Sequence, residues 1–168
     1  VLAHAHGLGI IHRDVKPENV FVQETPDGDV YKLLDFGIAK LTGESGLDSH
    51  ITMEGVMLGT PAYMAPERLD GSLVCGPESD VYSLGALAYR LLSGRLPFEG
   101  SITAIITGHL VQMPPHLAAL VPATPTALAN LVMRALAKDP ATRPTARELA
   151  EAFAAAASEA PAARESVG

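Results

Sequence analysis

The sequence is poor in cysteine, in basic residues and in long apolar runs, and each shortage removes a class of function. Cys75 is the only cysteine in 168 residues, so neither an intrachain disulfide framework nor a cysteine-based zinc site can form, which fits a reducing compartment. Its thiol is expected to be buried and inert. Lysine and arginine number 12 against 19 aspartates and glutamates, a net charge of −7. Those 12 are spread along the chain, so no basic stripe is expected to follow a nucleic-acid backbone, and nucleic acid is not an expected partner. No apolar run reaches the roughly 18 residues of a membrane span, and no basic segment followed by an apolar one opens the chain. No internal repeat is visible.

What is present suffices for one folded unit. A hydrophobic fraction of 48% with 18% charged residues can bury one sizeable core, and the length suits a single domain. The opening stretch, with Leu2, His6 and Ile10 spaced on one face, predicts the last turns of a helix stopped by Gly7 and Gly9. A chain that opens inside a helix and without Met is expected to be truncated. After the loop His12 to Asn19, the runs Val20 to Gln23 and Tyr31 to Leu34 predict two short strands. Thr25-Pro26-Asp27-Gly28 between them has the composition of a turn, so the pair predicts a small hairpin. Gly37 to Thr60 is rich in Gly, Ser and Thr without periodicity and predicts a long loop.

Helical patterns follow. Val81, Tyr82, Leu84, Ala86, Leu87, Ala88, Leu91 and Leu92 are apolar on nearly every face and predict a helix buried all round, ended by Gly94. Leu128, Leu131, Val132, Ala135 and Leu136 predict a helix with one buried face, ended by Asp139-Pro140. Thr145 with Glu148 is a capping box opening a last helix, whose Leu149, Phe153 and Ala156 face inward. Ser158 to Gly168 lacks periodicity and predicts a linker.

Charge is concentrated in one unusual place, between a helix and a strand. Asp14 offers a carboxylate that takes or orients a hydroxyl proton, Lys16 neutralises an anionic group in transfer, and Asn19 offers an amide oxygen suited to a hard cation. Asp35, at the far end of the hairpin, supplies a second oxygen ligand, because strand pairing can bring it beside Asn19. Two oxygen ligands with room for water suit Mg²⁺ held mainly through a phosphate substrate. The chemistry implied is phosphoryl transfer.

The strings His12-Arg13-Asp14-Val15-Lys16-Pro17-Glu18-Asn19, Asp35-Phe36-Gly37 and Ala65-Pro66-Glu67, in this order, resemble the signature set of the eukaryotic-type Ser/Thr protein kinases. Each tripeptide alone is weak evidence; together they are specific. The resemblance continues through Gly59-Thr60-Pro61-Ala62-Tyr63-Met64, Asp80-Val81-Tyr82-Ser83-Leu84-Gly85 and Arg143-Pro144, and covers the chain to about residue 157. The abundant Ala and short loops are similar to those of bacterial members of the transmembrane-receptor type.

This resemblance implies an α+β, protein-kinase-like fold: a mostly helical C-lobe over residues 1–157 with a small β-hairpin at the catalytic loop, the N-lobe missing, and a tail from 158 to 168. It implies Asp14 as catalytic base, Asn19 and Asp35 as Mg²⁺ ligands, and Lys16 at the γ-phosphate of ATP, with Glu18 and Phe21 in the nucleotide-binding set. Lys16 two residues after Asp14, with Thr60 contacting the substrate, resembles the Ser/Thr and not the Tyr pattern, so protein Ser and Thr hydroxyls are the expected acceptors. Phe21 would lie under the adenine ring, the alternative being ordinary core packing. Structural roles are implied for Glu67 and Arg143 as an ion pair, for Asp80 as the acid holding the His12-Arg13 turn, and for His12 and Phe36 as packing members of an internal spine.

Gly37 to Met64 then becomes an activation segment. Arg13 beside Asp14 suggests regulation by a phosphate that an arginine pairs. Thr52 is the preferred phosphosite, ahead of Thr42, Ser45 and Ser49, with the fixed charge of Glu54 standing in for a second phosphate. No Gly-x-Gly-x-x-Gly stretch or Val-Ala-x-Lys strand precedes His12, so the chain alone is expected to be inactive, all parts being needed together. The alternative of a different class is a pseudokinase or interaction module that binds a partner through its helices; the intact Asp14, Asn19 and Asp35 argue against it. The expected location is cytoplasmic, with the parent protein tethered to a membrane and able to dimerise.

Overall fold

The computed structural model describes residues 1–26, 28–35, 61–72 and 75–159. Helix α1 (Leu2–Gly7) opens the chain, and Gly9 carries it away in a left-handed turn at φ +73°, a conformation a Cβ disfavours. Strands β1 (Val20–Gln23) and β2 (Val30–Leu33) pair antiparallel with Val20 opposite Leu33 and Gln23 opposite Val30. The second strand therefore sits one residue earlier than its apolar run suggests. Between them the Gly28 N–H donates to the Thr25 carbonyl at 3.0 Å, closing the expected turn.

The remaining α-helices of the described chain are α2 (Pro66–Leu69), α3 (Pro77–Ser93), α4 (Ile102–Val111), α5 (Leu117–Leu120), α6 (Thr126–Ala135) and α7 (Ala146–Glu159). Helix α3 is the axis. Its Val81, Tyr82, Ala86, Ala88 and Tyr89 are buried, and α6 packs along it so closely that a Cβ on Gly85 would lie 2.7 Å from the Ala135 Cβ. Gly94 caps α3 in the left-handed conformation, its N–H donating to the Arg90 carbonyl at 2.8 Å. The helix is not buried all round, however. Leu91 is 76% exposed although Tyr89, two residues earlier, is buried.

Three further expectations need correction. Helix α6 ends at Ala135, with Leu136 as its cap, before Asp139-Pro140 is reached; there Asp139 instead caps a 3-10 turn, Pro140–Thr142. The Thr145–Glu148 capping box forms in full, the Glu148 N–H donating to Thr145 Oγ1 at 3.2 Å and the Thr145 N–H to Glu148 Oε2 at 2.6 Å. The helix it opens, α7, runs on to Glu159, so Ser158 and Glu159 belong to it and not to a linker. Cys75 is half-buried, not buried; burial still pushes its thiol pKa up, which keeps it protonated. Helices α4 and α5 have no counterpart among the expected elements. Among the described residues no helix is long and apolar enough to cross a membrane.

Candidate active site

The loop between α1 and β1 is pinned from below by the first turn of α3. Asp80, 1% exposed, accepts the His12 N–H at Oδ2 and the Arg13 N–H at Oδ1, both at 2.7 Å, and His6 Nε2 lies 2.9 Å from Oδ2. Arg13 has φ +67°, an unfavourable backbone for a residue with a side chain. Two charge-assisted bonds to its own and its neighbour's amide hold it there. Arg68 of α2 adds a third tie, donating to the Arg13 carbonyl. Val15 then plunges into the core at 3% exposure, which leaves its neighbours Asp14 and Lys16 on the partly exposed side of the loop.

His12 joins this loop to the end of the hairpin. It is fully buried, and its Nε2 lies 2.8 Å from the Leu34 carbonyl oxygen while its Nδ1 lies 3.2 Å from the Asp14 N. A carbonyl only accepts and an amide N–H only donates, so Nε2 donates and Nδ1 accepts. Its role is thus more than packing: one imidazole fixes both the Asp14 backbone and the residue before Asp35. On the other side, the Leu34 N–H donates to the Asn19 carbonyl at 2.8 Å, extending the strand pairing past Val20–Leu33. Asp35 emerges immediately afterwards, in the left-handed region at φ +54°.

Asn19 is buried, with its Nδ2 donating to the Asp14 carbonyl at 2.7 Å and to Asp14 Oδ2 at 3.1 Å. Two acceptors fix the amide orientation, so Oδ1 is the atom with ligand chemistry. Lys16 Nζ lies 2.8 Å from the same Asp14 Oδ2. The carboxylate is therefore oriented by two donors on one oxygen. Asn19 Oδ1 and the Asp35 carboxylate are hard oxygen donors, the donor chemistry that suits a divalent cation keeping water and phosphate in its remaining positions.

Behind the loop, Glu67 of α2 meets Arg143 in a two-pronged pair, Nη1–Oε1 at 2.7 Å and Nη2–Oε2 at 2.8 Å. Arg143 also donates to the carbonyls of Ala137, Glu78 and Lys138, and Ser79 Oγ donates to Glu67 Oε1 at 2.7 Å. Burial raises the Glu67 pKa, but the hydrogen bonds from Arg143 and Ser79 outweigh it and hold the carboxyl below the ordinary range.

Residues 1–153 match the family described as protein kinase domain. The chain belongs to this family. Among similar proteins, the serine/threonine-protein kinase pkn2 of Myxococcus xanthus is 47% identical over 159 residues, covering 92% of this chain and 19% of that protein. The serine/threonine-protein kinase PknJ of Mycobacterium tuberculosis is 44% identical over 160 residues, covering 92% of this chain and 26% of that protein. PknL of the same species is 44% identical over 144 residues, with 84% and 34% covered. The chain thus spans about a fifth to a third of the length of these kinases.

Within this kinase domain the structure brings together Asp14, Lys16 and Asn19 by direct contact, and places Asp35 next to the residue paired with Asn19. Glu18 is exposed in the 3-10 turn Pro17–Asn19. Phe21 is 51% exposed on β1, so ordinary core packing does not describe it. Phe36, Thr52 and Thr60, with Thr42, Ser45, Ser49 and Glu54, lie outside the described residues. The motifs did not disclose the tie from Arg68, the bond from Arg90 to the Tyr63 hydroxyl, or a buried chain formed by His109, Tyr82 and Lys138.

Proposed function

We propose that the chain carries the catalytic half of a Ser/Thr protein kinase, transferring the γ-phosphate of ATP to Ser and Thr hydroxyls of proteins. One observation carries this most: Asp14 is oriented by Asn19 Nδ2 at 3.1 Å and Lys16 Nζ at 2.8 Å. Such a carboxylate accepts the acceptor's hydroxyl proton as the oxygen attacks phosphorus. Lys16, already a contact of that carboxylate, would bridge it to the negative phosphoryl group. Mg²⁺, when held by Asn19 and Asp35, would neutralise charge on the phosphate oxygens. Phe21 offers its exposed ring to the adenine, and Glu18 a neighbouring carboxylate.

The intact set Asp14, Asn19 and Asp35 favours catalysis over a partner-binding module. The glycine-rich phosphate lid and its lysine are not within the 168 residues, so transfer requires them from elsewhere in a complete kinase domain, and the chain by itself is inactive. The protein is proposed to act in the cytoplasm, with Thr52 as its regulatory phosphosite.

In a complete domain that includes this segment, Asp14→Asn should lower kcat by about 10²- to 10⁴-fold, the typical worth of a positioned general base. The wild type should label Ser or Thr and not Tyr in a generic acceptor protein. Unchanged turnover in Asp14→Asn would remove Asp14 from the reaction.

A further inference from the structure

Backbone strain in the loop falls on the residue directly before the proposed base. Among the described residues, Arg13 and Asp35 are the non-glycine positions with positive φ, and Arg13, at +67°, precedes Asp14. A residue with a Cβ relaxes out of the left-handed region unless the groups on both sides of its Cα are held. On the N-terminal side, Asp80 Oδ1 accepts the Arg13 N–H at 2.7 Å. With that anchor alone, the chain beyond the Arg13 Cα could still swing and carry Asp14 with it. Arg68 of α2 closes this freedom by donating from Nη1 to the Arg13 carbonyl oxygen.

The same peptide group is held at its other end, where the Asp14 N–H donates to His12 Nδ1 at 3.2 Å. A carbonyl and the N–H that follows it lie in one plane and turn together. His12 thus grips this planar unit from within the loop, and Arg68 grips it from outside, 55 positions along the chain. Turning the unit changes ψ of Arg13 and φ of Asp14 at once, and the side-chain positions open to Asp14 depend on that φ. Arg68 is itself seated for the task. Ala65, Pro66 and Leu69 around it are buried, and its neighbour Glu67 is locked by Arg143 at 2.7 and 2.8 Å. A basic residue in the last turn of a helix commonly serves that helix's own carbonyls; Arg68 reaches across to the loop instead.

The geometry points to Arg68 as a positioning residue for the base: by holding the Arg13 carbonyl it keeps Arg13 left-handed and fixes the backbone from which the Asp14 carboxylate is aimed. This role rests on Asp14 acting as the base proposed above, whereas the state of the Arg13–Asp14 peptide can be read without any turnover. A residue that aims the base lowers kcat and leaves the binding of nucleotide and acceptor alone. A merely structural residue would loosen the whole loop, including the amides that Asp80 holds.

The test uses a complete kinase domain containing this segment, with amide exchange by ¹⁵N NMR and steady-state kinetics on Mg²⁺-ATP and a Ser/Thr acceptor peptide. Arg68→Met keeps most of the stem and removes the donor. Its Asp14 amide should exchange about tenfold faster, the usual worth of one hydrogen bond, while the His12 and Arg13 amides held by Asp80 change by less than about twofold. Its kcat should fall about tenfold with both KM values within about twofold of wild type. Arg68→Lys, which retains a cationic donor, should recover most of both losses. Arg68→Gln, which keeps a neutral donor on a shorter stem, should change in the same direction by less and serves if Arg68→Met does not fold. Unchanged Asp14 exchange in the variants lacking the cation, an equal rise at all three amides, or faster Asp14 exchange with kcat unchanged would overturn the assignment, as would no recovery with Lys. A wild type with no transfer at all would instead remove the kinase activity and the base role of Asp14; exchange at Asp14 would then still decide whether Arg68 holds the peptide.

Discussion

Charge in this molecule is used in pairs and at backbone amides, and the consequence is a sharp dependence on individual side chains. Arg143 is 7% exposed and makes hydrogen bonds to Glu67 and to three carbonyls. Removing Glu67 as Glu67→Ala strands that guanidinium, and a broken buried pair costs about 3–5 kcal/mol; chemical denaturation should show the midpoint falling with an unchanged slope. The pH dependence follows from His109. Its folded pKa of about 4 lies below the ordinary 6.5, so the unfolded chain binds a proton that the folded chain refuses. That contribution is intact above pH 6.5 and is lost as pH falls from there towards 4, by about 2 kcal/mol at pH 5. The nearby Lys138 charge persists through this window and reinforces the refusal, since burial and then Arg143 lower the Lys138 pKa only to about 8. Thermal unfolding at pH 7 and pH 5 should therefore show a larger drop in wild type than in His109→Gln, which has no ring to titrate; equal drops would contradict the burial of a neutral His109. The roles of Asp80, Glu67 and Arg143 were legible in the sequence because they sit in recognisable strings. The His109 chain was not, because its members stand 27 and 56 positions apart and leave no spacing to detect.

At the scale of elements, the hairpin is what brings the site together. Its register carries Leu34 onto the Asn19 carbonyl, and without it Asn19 and Asp35 would be unrelated positions. Strand β1 was legible residue for residue because Val20, Phe21 and Val22 abut a strong turn. Helix α3 was legible at its C-terminal end, since Gly94 supplies the left-handed cap. Helix α4 was not, and the reason is physical: six of its ten residues are β-branched and Gly108 interrupts it, so intrinsic preference points away from a helix. Packing on the turn Pro61–Tyr63 and on Phe98, with a Ser101 cap accepting the Ala104 N–H at 3.2 Å, overrides that preference. The close approach of α3 and α6 gives a direct test. Gly85→Ala adds one methyl that meets Ala135 at 2.7 Å, and overpacking of this kind costs about 1–3 kcal/mol; a Tm equal to wild type would show that the helices can part freely.

Across the whole molecule, the arrangement is a helical body that holds one polar edge rigid. Asp80 at the start of α3, His12 across the loop and Glu67–Arg143 behind it fix the floor on which Asp14, Asn19 and Asp35 stand. Outward from that edge, Phe21, Tyr31, Val22 and Leu34 are exposed apolar groups, and the proposed nucleotide role would draw on Phe21 among them. The measurement that tests this account most directly is phosphate transfer from Mg²⁺-ATP to a Ser/Thr acceptor by a complete domain containing this segment, compared with its Asp35→Asn variant across a Mg²⁺ titration. The account predicts transfer in the wild type and its loss in the variant, with any residual rate shifted to higher Mg²⁺. Wild-type and variant rates that coincide at every Mg²⁺ concentration, or a folded wild type that transfers nothing, would contradict it.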